Sequence, residues 1–394
     1  MGKLKNIEIY FDRNRNVYYP GDSVCGNVII ESKGEVRINA LKVFIRGVAK
    51  VHWTETKTVG YRLGNYTEHY RSEIEYICLK QTLIGGKESS SSNSKESFIC
   101  DGYHVFPFHF ILPREGIATS FEGKHGSIRY YLKVELDKPW TFNHKLKKIF
   151  TVIKPIDINQ SEYLVPILND CSKTICCWLC RSGPVSINVN TDRRGYCPGE
   201  SVALTALFEN SGNRTIIPTA SLYQIQTYNA SGKHFINTNK LVSISGSSII
   251  PGEVSEWNSK LLKIPAVSPS IGSVLIRVEY FVKISLLIPG SYSLSCVLPI
   301  IIGTVPFRHC IQSPINYSYM PSSQSGNRIR NDAPPSYSEL KDLKEDVEEE
   351  NTNFCPLYTY VSDYQPPPYS MNEIIQSSSD HDELNQNLLT ISHT

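Results

Sequence analysis

The sequence predicts an all-β protein: two tandem β-sandwich domains followed by a disordered C-terminal tail. Three observations carry that reading. Apolar and polar residues alternate with period two through most of the first 305 of its 394 residues, as strands with one dry and one wet face require. Pro-Gly and Gly-Gly pairs punctuate the alternating runs. One turn-and-strand segment occurs twice. The expected organisation is an N-terminal domain over 1–155, a cysteine-containing linker over 156–182, a second domain over 183–305 and a tail over 306–394.

The strands can be read in chain order. From Leu41 the dry positions are Leu41, Val43, Ile45, Val51 and Trp53, with Lys42, Arg46, Lys50 and His52 between them. From Ile128 they are Ile128, Tyr130, Leu132, Val134 and Leu136, set against Arg129, Lys133 and Glu135. The clearest run is Val274, Ile276, Val278, Tyr280, Val282, Ile284 and Leu286, alternating with Arg277, Glu279, Lys283 and Ser285. Turns fall at Pro20-Gly21-Asp22, Gly85-Gly86, Pro198-Gly199, Pro251-Gly252 and Pro289-Gly290. The repeat pairs Val17–Val24 with Gly195–Val202, 178 residues apart (198 minus 20). Each copy sets an acidic residue after a Pro-Gly turn and before a strand, which points to two domains of one architecture. Gly85–Ser97 reads as a polar surface loop. Beyond about residue 305, Ser, Asn, Pro, Asp and Glu dominate, and the segment is too polar to bury a core.

Composition excludes several classes. Lys and Arg total 40 against 38 Asp and Glu, so bulk charge offers no reason to expect nucleic acid. The first residues hold no apolar run of signal-peptide length, and Gly2 lacks the Ser or Thr at position 6 that myristoylation wants, since Asn6 stands there. No apolar stretch is long enough to span a bilayer. The 11 cysteines are then expected to be reduced thiols. On the same ground the glycosylation patterns at Asn65, Asn213 and Asn229 read as chance matches. Nucleophile-elbow, Walker A, dinucleotide-binding and H-E-x-x-H patterns are absent, so no catalytic residue, cofactor or metal is expected. His104 and His109, five residues apart on a strand, would face opposite ways.

Two clusters leave their readings open. Cys171, Cys176, Cys177 and Cys180 read as linker or buried thiols, as a metal or redox half-site, or, for Cys176, Cys177 and Cys180 beside Trp178, Leu179 and Arg181, as S-acylation sites. Lys145, Lys147 and Lys148 read as a solvated face or as a contact for phosphate or lipid head groups.

The tail carries the motifs with a mechanism. Pro334-Pro335-Ser336-Tyr337 and Pro366-Pro367-Pro368-Tyr369 are both P-P-x-Y. Consecutive prolines hold polyproline II at little ordering cost, and WW domains read it in an aromatic groove with a separate pocket for the tyrosine. Pro334, Pro335, Tyr337, Pro366, Pro367 and Tyr369 are therefore the expected WW-binding residues. Tyr337–Leu340 and Tyr358–Val361 also fit the loose Tyr-x-x-apolar pattern of sorting signals. Glu339–Glu350 reads as a solvated acidic run.

These residues together resemble the α-arrestins, the arrestin domain-containing proteins. The resemblance rests on Val17–Glu31, Gly47–Trp53, Phe106–Phe108 through Leu112-Pro113, and Ser120–Tyr130. It continues through Cys176-Cys177 to Pro184, Gly195–Glu200, Phe208–Asn210 and Arg277–Tyr280, with the paired P-P-x-Y motifs extending it into the tail. It implies two arrestin-type, immunoglobulin-like sandwiches. It also implies an adaptor that brings HECT-type ubiquitin ligases, through their WW domains, to membrane receptors or transporters as cargo, promoting ubiquitination, endocytosis and endosomal sorting. The chain would then be cytoplasmic and recruited to plasma membrane and endosomes. Two rival functions stand beside it. One is a thiol-based regulator of the kind the resemblance links to thioredoxin, with Cys171, Cys176, Cys177, Cys180 or Cys197 as candidates. The other is a passive WW-binding scaffold.

Overall fold

The computed structural model describes residues 2–12, 16–58, 65–85, 97–139, 143–177, 180–308, 317–321 and 354–361. The first domain is built from β1 (Lys3–Phe11), β2 (Val17–Tyr18), β3 (Ser23–Lys33), β4 (Val36–Ile38), β5 (Ala40–Thr58) and β6 (Asn65–Gly85). It continues with β7 (Ser97–Ile99), β8 (Gly102–Ile111), β9 (Phe121–Gly123), β10 (Gly126–Asp137) and β11 (His144–Val152). One sheet runs β1-β3-β8, the other β2-β11-β10-β5-β6, with β9 on β10 and a small β4–β7 pair. The dry positions read from sequence form the core: Leu41, Val43, Ile45, Ile128, Tyr130, Leu132 and Leu136 are fully buried between the sheets. The pairing of β5 with β6 shifts register between Gly47 and Val48. Gly47 lies opposite Tyr130, where a Cβ would stand 2.4 Å from the ring. The missing side chain lets the Tyr130 ring cross the strand. Its hydroxyl then donates to the Ala118 carbonyl at 2.7 Å.

A one-turn helix, α1 (Ser161–Leu164), stands between the domains. The second domain comprises β12 (Leu168–Cys177), β13 (Cys180–Thr191), β14 (Gly195–Tyr196), β15 (Ser201–Asn210) and β16 (Ile217–Ala230). It is completed by β17 (Lys233–Ser245), β18 (Val254–Lys263), β19 (Ile271–Gly272), β20 (Ile276–Leu287) and β21 (Leu294–Ile302). Its sheets run β12-β13-β15-β18 and β14-β21-β20-β16-β17, with β19 on β20. Strand for strand, β13-β15-β18 repeats β1-β3-β8 and the larger sheet repeats its counterpart. Tyr280 repeats Tyr130: its hydroxyl donates at 2.6 Å to the carbonyl of Ser268, twelve residues upstream, the same separation as Tyr130 from Ala118.

Four findings differ from the sequence reading. The linker expected over 156–182 becomes strand from Leu168, as β12 pairs with β13 along Leu168↔Asn190 to Cys177↔Cys180. Its half-buried positions are Asn169, Cys171 and Lys173, so no apolar face announces it. Asn169 donates to the Val297 carbonyl and Lys173 to that of Tyr292, which ties β12 to β21 and the turn before it. Second, Cys171 is not a reduced thiol: it forms a disulfide with Cys296 on β21, 125 residues away. Third, Val274 is 73% exposed. Ser273 and Ile276 close a turn through the Ser273 hydroxyl, so β20 begins only after Val274. Fourth, the tail contributes β22 (Tyr317–Pro321) and β23 (Leu357–Val361), paired antiparallel from Tyr317↔Val361 to Pro321↔Leu357. The expected Gly85–Ser97 loop falls mostly outside the described residues.

Candidate functional site

The richest polar chemistry lies where the two sandwiches meet. On one side, the turn between β9 and β10 presents His125 against the rings of Tyr228 and Phe235, at 5.7 and 4.4 Å between centroids. Gly123 and Gly126 on its flanks admit the Tyr228 hydroxyl and the Ile276 side chain, which a Cβ would crowd. Trp53 stacks on Tyr70, and its ring lies tilted against Phe235 of the second domain at 6.1 Å between centroids. Lys233 donates to the Tyr70 hydroxyl at 2.7 Å. Burial holds the His125 and His52 imidazoles below their ordinary range. Lys124 acts in the same direction on His125, and Arg71 and His69 on His52. The stretch Ser120–Tyr130, one of those that carry the resemblance, thus owes part of its composition to the interdomain contact.

On the other side sits the second Pro-Gly turn. Glu200 is fully buried and accepts from Arg193 at 2.9 Å, from the Cys197 amide at 3.0 Å and from the Phe307 amide at 3.3 Å. The Arg193 guanidinium lies between the Tyr196 and Phe307 rings, 4.8 and 4.6 Å from their centroids. Burial keeps the Glu200 carboxyl above the usual carboxylate range, although Arg193 and both amides favour its ionised form.

The tail strand β23 lies against both domains here. Tyr358 and Val361 are buried. The Tyr358 hydroxyl donates to the Ser120 carbonyl at 2.9 Å, and the Leu357 amide to the Thr151 hydroxyl at 3.2 Å. The Val361 amide donates to the Pro198 carbonyl at 2.8 Å. Gly199, at φ +94°, has the Val361 carbonyl where its Cβ would be.

The residues singled out by sequence distribute as follows. Pro334, Pro335, Tyr337, Pro366, Pro367 and Tyr369 lie outside the described residues. Cys176, Cys177 and Cys180 fall at the turn end of the β12–β13 hairpin, with Cys177 opposite Cys180. Cys197 is fully buried, and burial beside Glu200 pushes its thiol well above the ordinary range, the reverse of an activated thiolate. The three lysines do not act as one patch. Lys148 donates to the Ile9 carbonyl at 2.8 Å and covers the Tyr10 and Phe11 rings, binding β11 to β1. Lys145 and Lys147 lie on the other face, Lys147 over the Tyr131 ring. Among the described residues no group of three His, Cys, Asp or Glu side chains gathers to hold a metal. Among them, too, no helix is long and apolar enough to cross a membrane.

Two sandwiches of one topology, locked along a polar and aromatic seam, define a tandem β-sandwich scaffold. Comparison with known proteins specifies which. Residues 7–159 match the N-terminal domain of arrestin (S-antigen), and residues 181–307 its C-terminal domain. The chain is 35% identical to arrestin domain-containing protein 4 of Mus musculus over 308 residues, 78% of this chain and 73% of that one. To the Homo sapiens protein of the same name it is 30% identical over 404 residues, 97% and 95% of the two chains. Thioredoxin-interacting protein of Homo sapiens is 31% identical over 303 residues, 77% and 75%. The chain belongs to the arrestin domain-containing, or α-arrestin, family. Membership supports an arrestin-type adaptor; a thiol-based regulatory role is not favoured.

Proposed function

We propose that this chain is an adaptor that recruits HECT-type ubiquitin ligases to membrane receptors or transporters, working in the cytoplasm and at plasma membrane and endosomes. The observation that carries the reading is the pair of P-P-x-Y motifs appended to an arrestin-type scaffold. The scaffold engages cargo, the motifs engage WW domains, and the ligase modifies what is held. The two tyrosines are 32 residues apart (369 minus 337). The connector includes Leu357–Val361, which is held on the sandwiches; with that strand undocked, a flexible connector of this length spans roughly 30–35 Å, enough to let one tail occupy two WW domains of one ligase.

Calorimetry on the full chain tests the docking. A tandem WW protein is expected to bind roughly 10²–10⁴ tighter than a single WW domain. Tyr337→Ala or Tyr369→Ala should each remove most of that gain, Tyr369→Ala the more because Pro366–Pro368 is the longer preformed helix. Equal affinity for tandem and single WW domains would overturn the bivalent mechanism. In cells, proximity labelling should recover ligase and ubiquitinated membrane cargo with the intact chain and lose the ligase with Tyr337 and Tyr369 both replaced. WW binding with no co-purifying ligase activity would leave a passive scaffold instead.

A further inference from the structure

The two copies of the Pro-Gly turn are covered differently. In the first, the Gly21 position is covered by the Arg114 side chain of the same domain, 3.1 Å from where a Cβ would stand. In the second, Gly199 is covered by the Val361 carbonyl, delivered by the tail. The second domain leaves this place to a segment beyond its last strand. That segment is well fitted to it. Tyr358, Thr359 and Val361 are nearly inaccessible, and three hydrogen bonds fix it to Ser120 and Thr151 of the first domain and Pro198 of the second. Each end of this short strand is therefore held by a different sandwich.

Tyr358 is the anchor that joins the segment to the first domain. Its hydroxyl is buried against the Ser120 carbonyl, and burial raises it well above an ordinary phenol. A phosphate here would bring a charge of about −1.5 to −2 into a buried site where the hydroxyl's hydrogen-bond partner is a carbonyl oxygen. Among the described residues no cation is hydrogen-bonded to the hydroxyl to receive it.

From this we propose that Leu357–Val361 is a releasable brace between the two sandwiches, and that Tyr358 is the modification site that keeps it released. In the step itself, a tyrosine kinase transfers the γ-phosphoryl group of a nucleoside triphosphate to the Tyr358 oxygen. The new O–P bond replaces the bond to the departing diphosphate, and the phenolic proton passes to the kinase's base. Only the undocked strand offers that oxygen, so the brace opens first and the phosphate then prevents its return. Tyr358 and Val361 are also the two ends of the Tyr-x-x-apolar pattern, so no partner reads that pattern while the brace is closed.

Hydrogen exchange on the full chain is the test, together with labelling by a broad-specificity tyrosine kinase and ATP. The amides of 357–361 are expected to exchange at least about tenfold more slowly than in a free peptide of residues 350–365. Tyr358→Ala and, separately, Val361→Glu should abolish that protection, with β10 and β20 unchanged. Both substitutions lie outside the sandwich strands, which keeps folding of the domains a separate readout. Tyr358 in the full chain should be phosphorylated at least about tenfold more slowly than in the peptide. The phosphorylated chain should exchange at 357–361 like the peptide. Tyr358→Phe should keep most of the protection and take up no phosphate at this position. Wild-type exchange at the peptide rate overturns the brace. Phosphorylation with protection retained, or no phosphorylation of Tyr358 in the full chain under conditions that modify the peptide, overturns the modification site.

Discussion

Asp22 and Glu200 occupy the same place in the two domains. Each follows a Pro-Gly turn, and each carboxylate accepts the amide three residues back, that of Tyr19 at 2.9 Å and that of Cys197 at 3.0 Å. The strands before the two turns even pair alike: Val17 and Tyr18 lie parallel to the end of β11, Gly195 and Tyr196 to the end of β21. Their surroundings diverge. Asp22 is half-buried at its own domain's rim, whereas Glu200 is sealed under Phe307 and joined to a buried Arg193. Local chemistry thus sets the turn, and tertiary position decides whether its acid is a modest cap or part of a buried charge pair.

The largest test of that contrast is to remove each acid. Glu200→Ala removes the nearer of the two carboxylates beside the buried Arg193, leaving Asp192 at 3.8 Å, and is expected to cost roughly 3–5 kcal/mol. Asp22→Ala removes the acceptor of the Tyr19 amide at a half-buried site, about 1 kcal/mol. Thermal or urea unfolding of the two variants would measure the difference, and equal losses would break the comparison. A second, smaller contrast sharpens it. Tyr280 both donates to Ser268 and accepts from Gln224, which is buried beside it on β16. Tyr130 also accepts, from the Ala118 amide at 3.1 Å, but Tyr280 has a third partner in the Ser268 hydroxyl at 3.1 Å. Tyr280→Phe should cost about 3 kcal/mol and Tyr130→Phe about 2 kcal/mol. The smallest effect is in the seam's histidines. His52 and His125 are held below the ordinary histidine value near 6.5. The unfolded chain therefore binds more protons in that window, and stability is full above it and falls as pH drops through the folded-state values. Melting temperature should decline on acidification from neutral pH, and His125→Gln should flatten part of the decline. An unchanged slope would place the pH sensitivity elsewhere.

How much of this was legible follows the same division between local and tertiary causes. The faces of β5, β10 and β20 were readable because each buries one side and wets the other. Val274 misled because alternation continues through a turn closed by the Ser273 hydroxyl. The strand β12 was hidden because the side it turns inward carries Asn169, Cys171 and Lys173, whose partners on β21 and the turn before it come from far along the chain. The repeat extends further than the Pro-Gly turn revealed: Tyr130-Tyr131-Leu132-Lys133-Val134 and Tyr280-Phe281-Val282-Lys283-Ile284 match in kind and place, and reading them together would have paired the two tyrosines. In the tail, Leu357–Val361 holds strand-favouring residues, yet a five-residue strand within a polar segment carries no periodic signal long enough to separate from chance. The P-P-x-Y motifs are visible as short ordered patterns, and the docking proposed for them rests on the peptide itself rather than on the fold. The seam was not, because it exists only once two domains meet.

The pairing of β22 with β23 has a consequence for covalent connectivity. Pro321 and Leu357 are brought side by side, and β23 is held further by Ser120, Thr151 and Pro198. A single backbone cleavage between Pro321 and Phe354 would divide the chain into two polypeptides without dividing the fold. The C-terminal fragment would stay attached as a noncovalent subunit, carrying Tyr369 with it, until the brace let go.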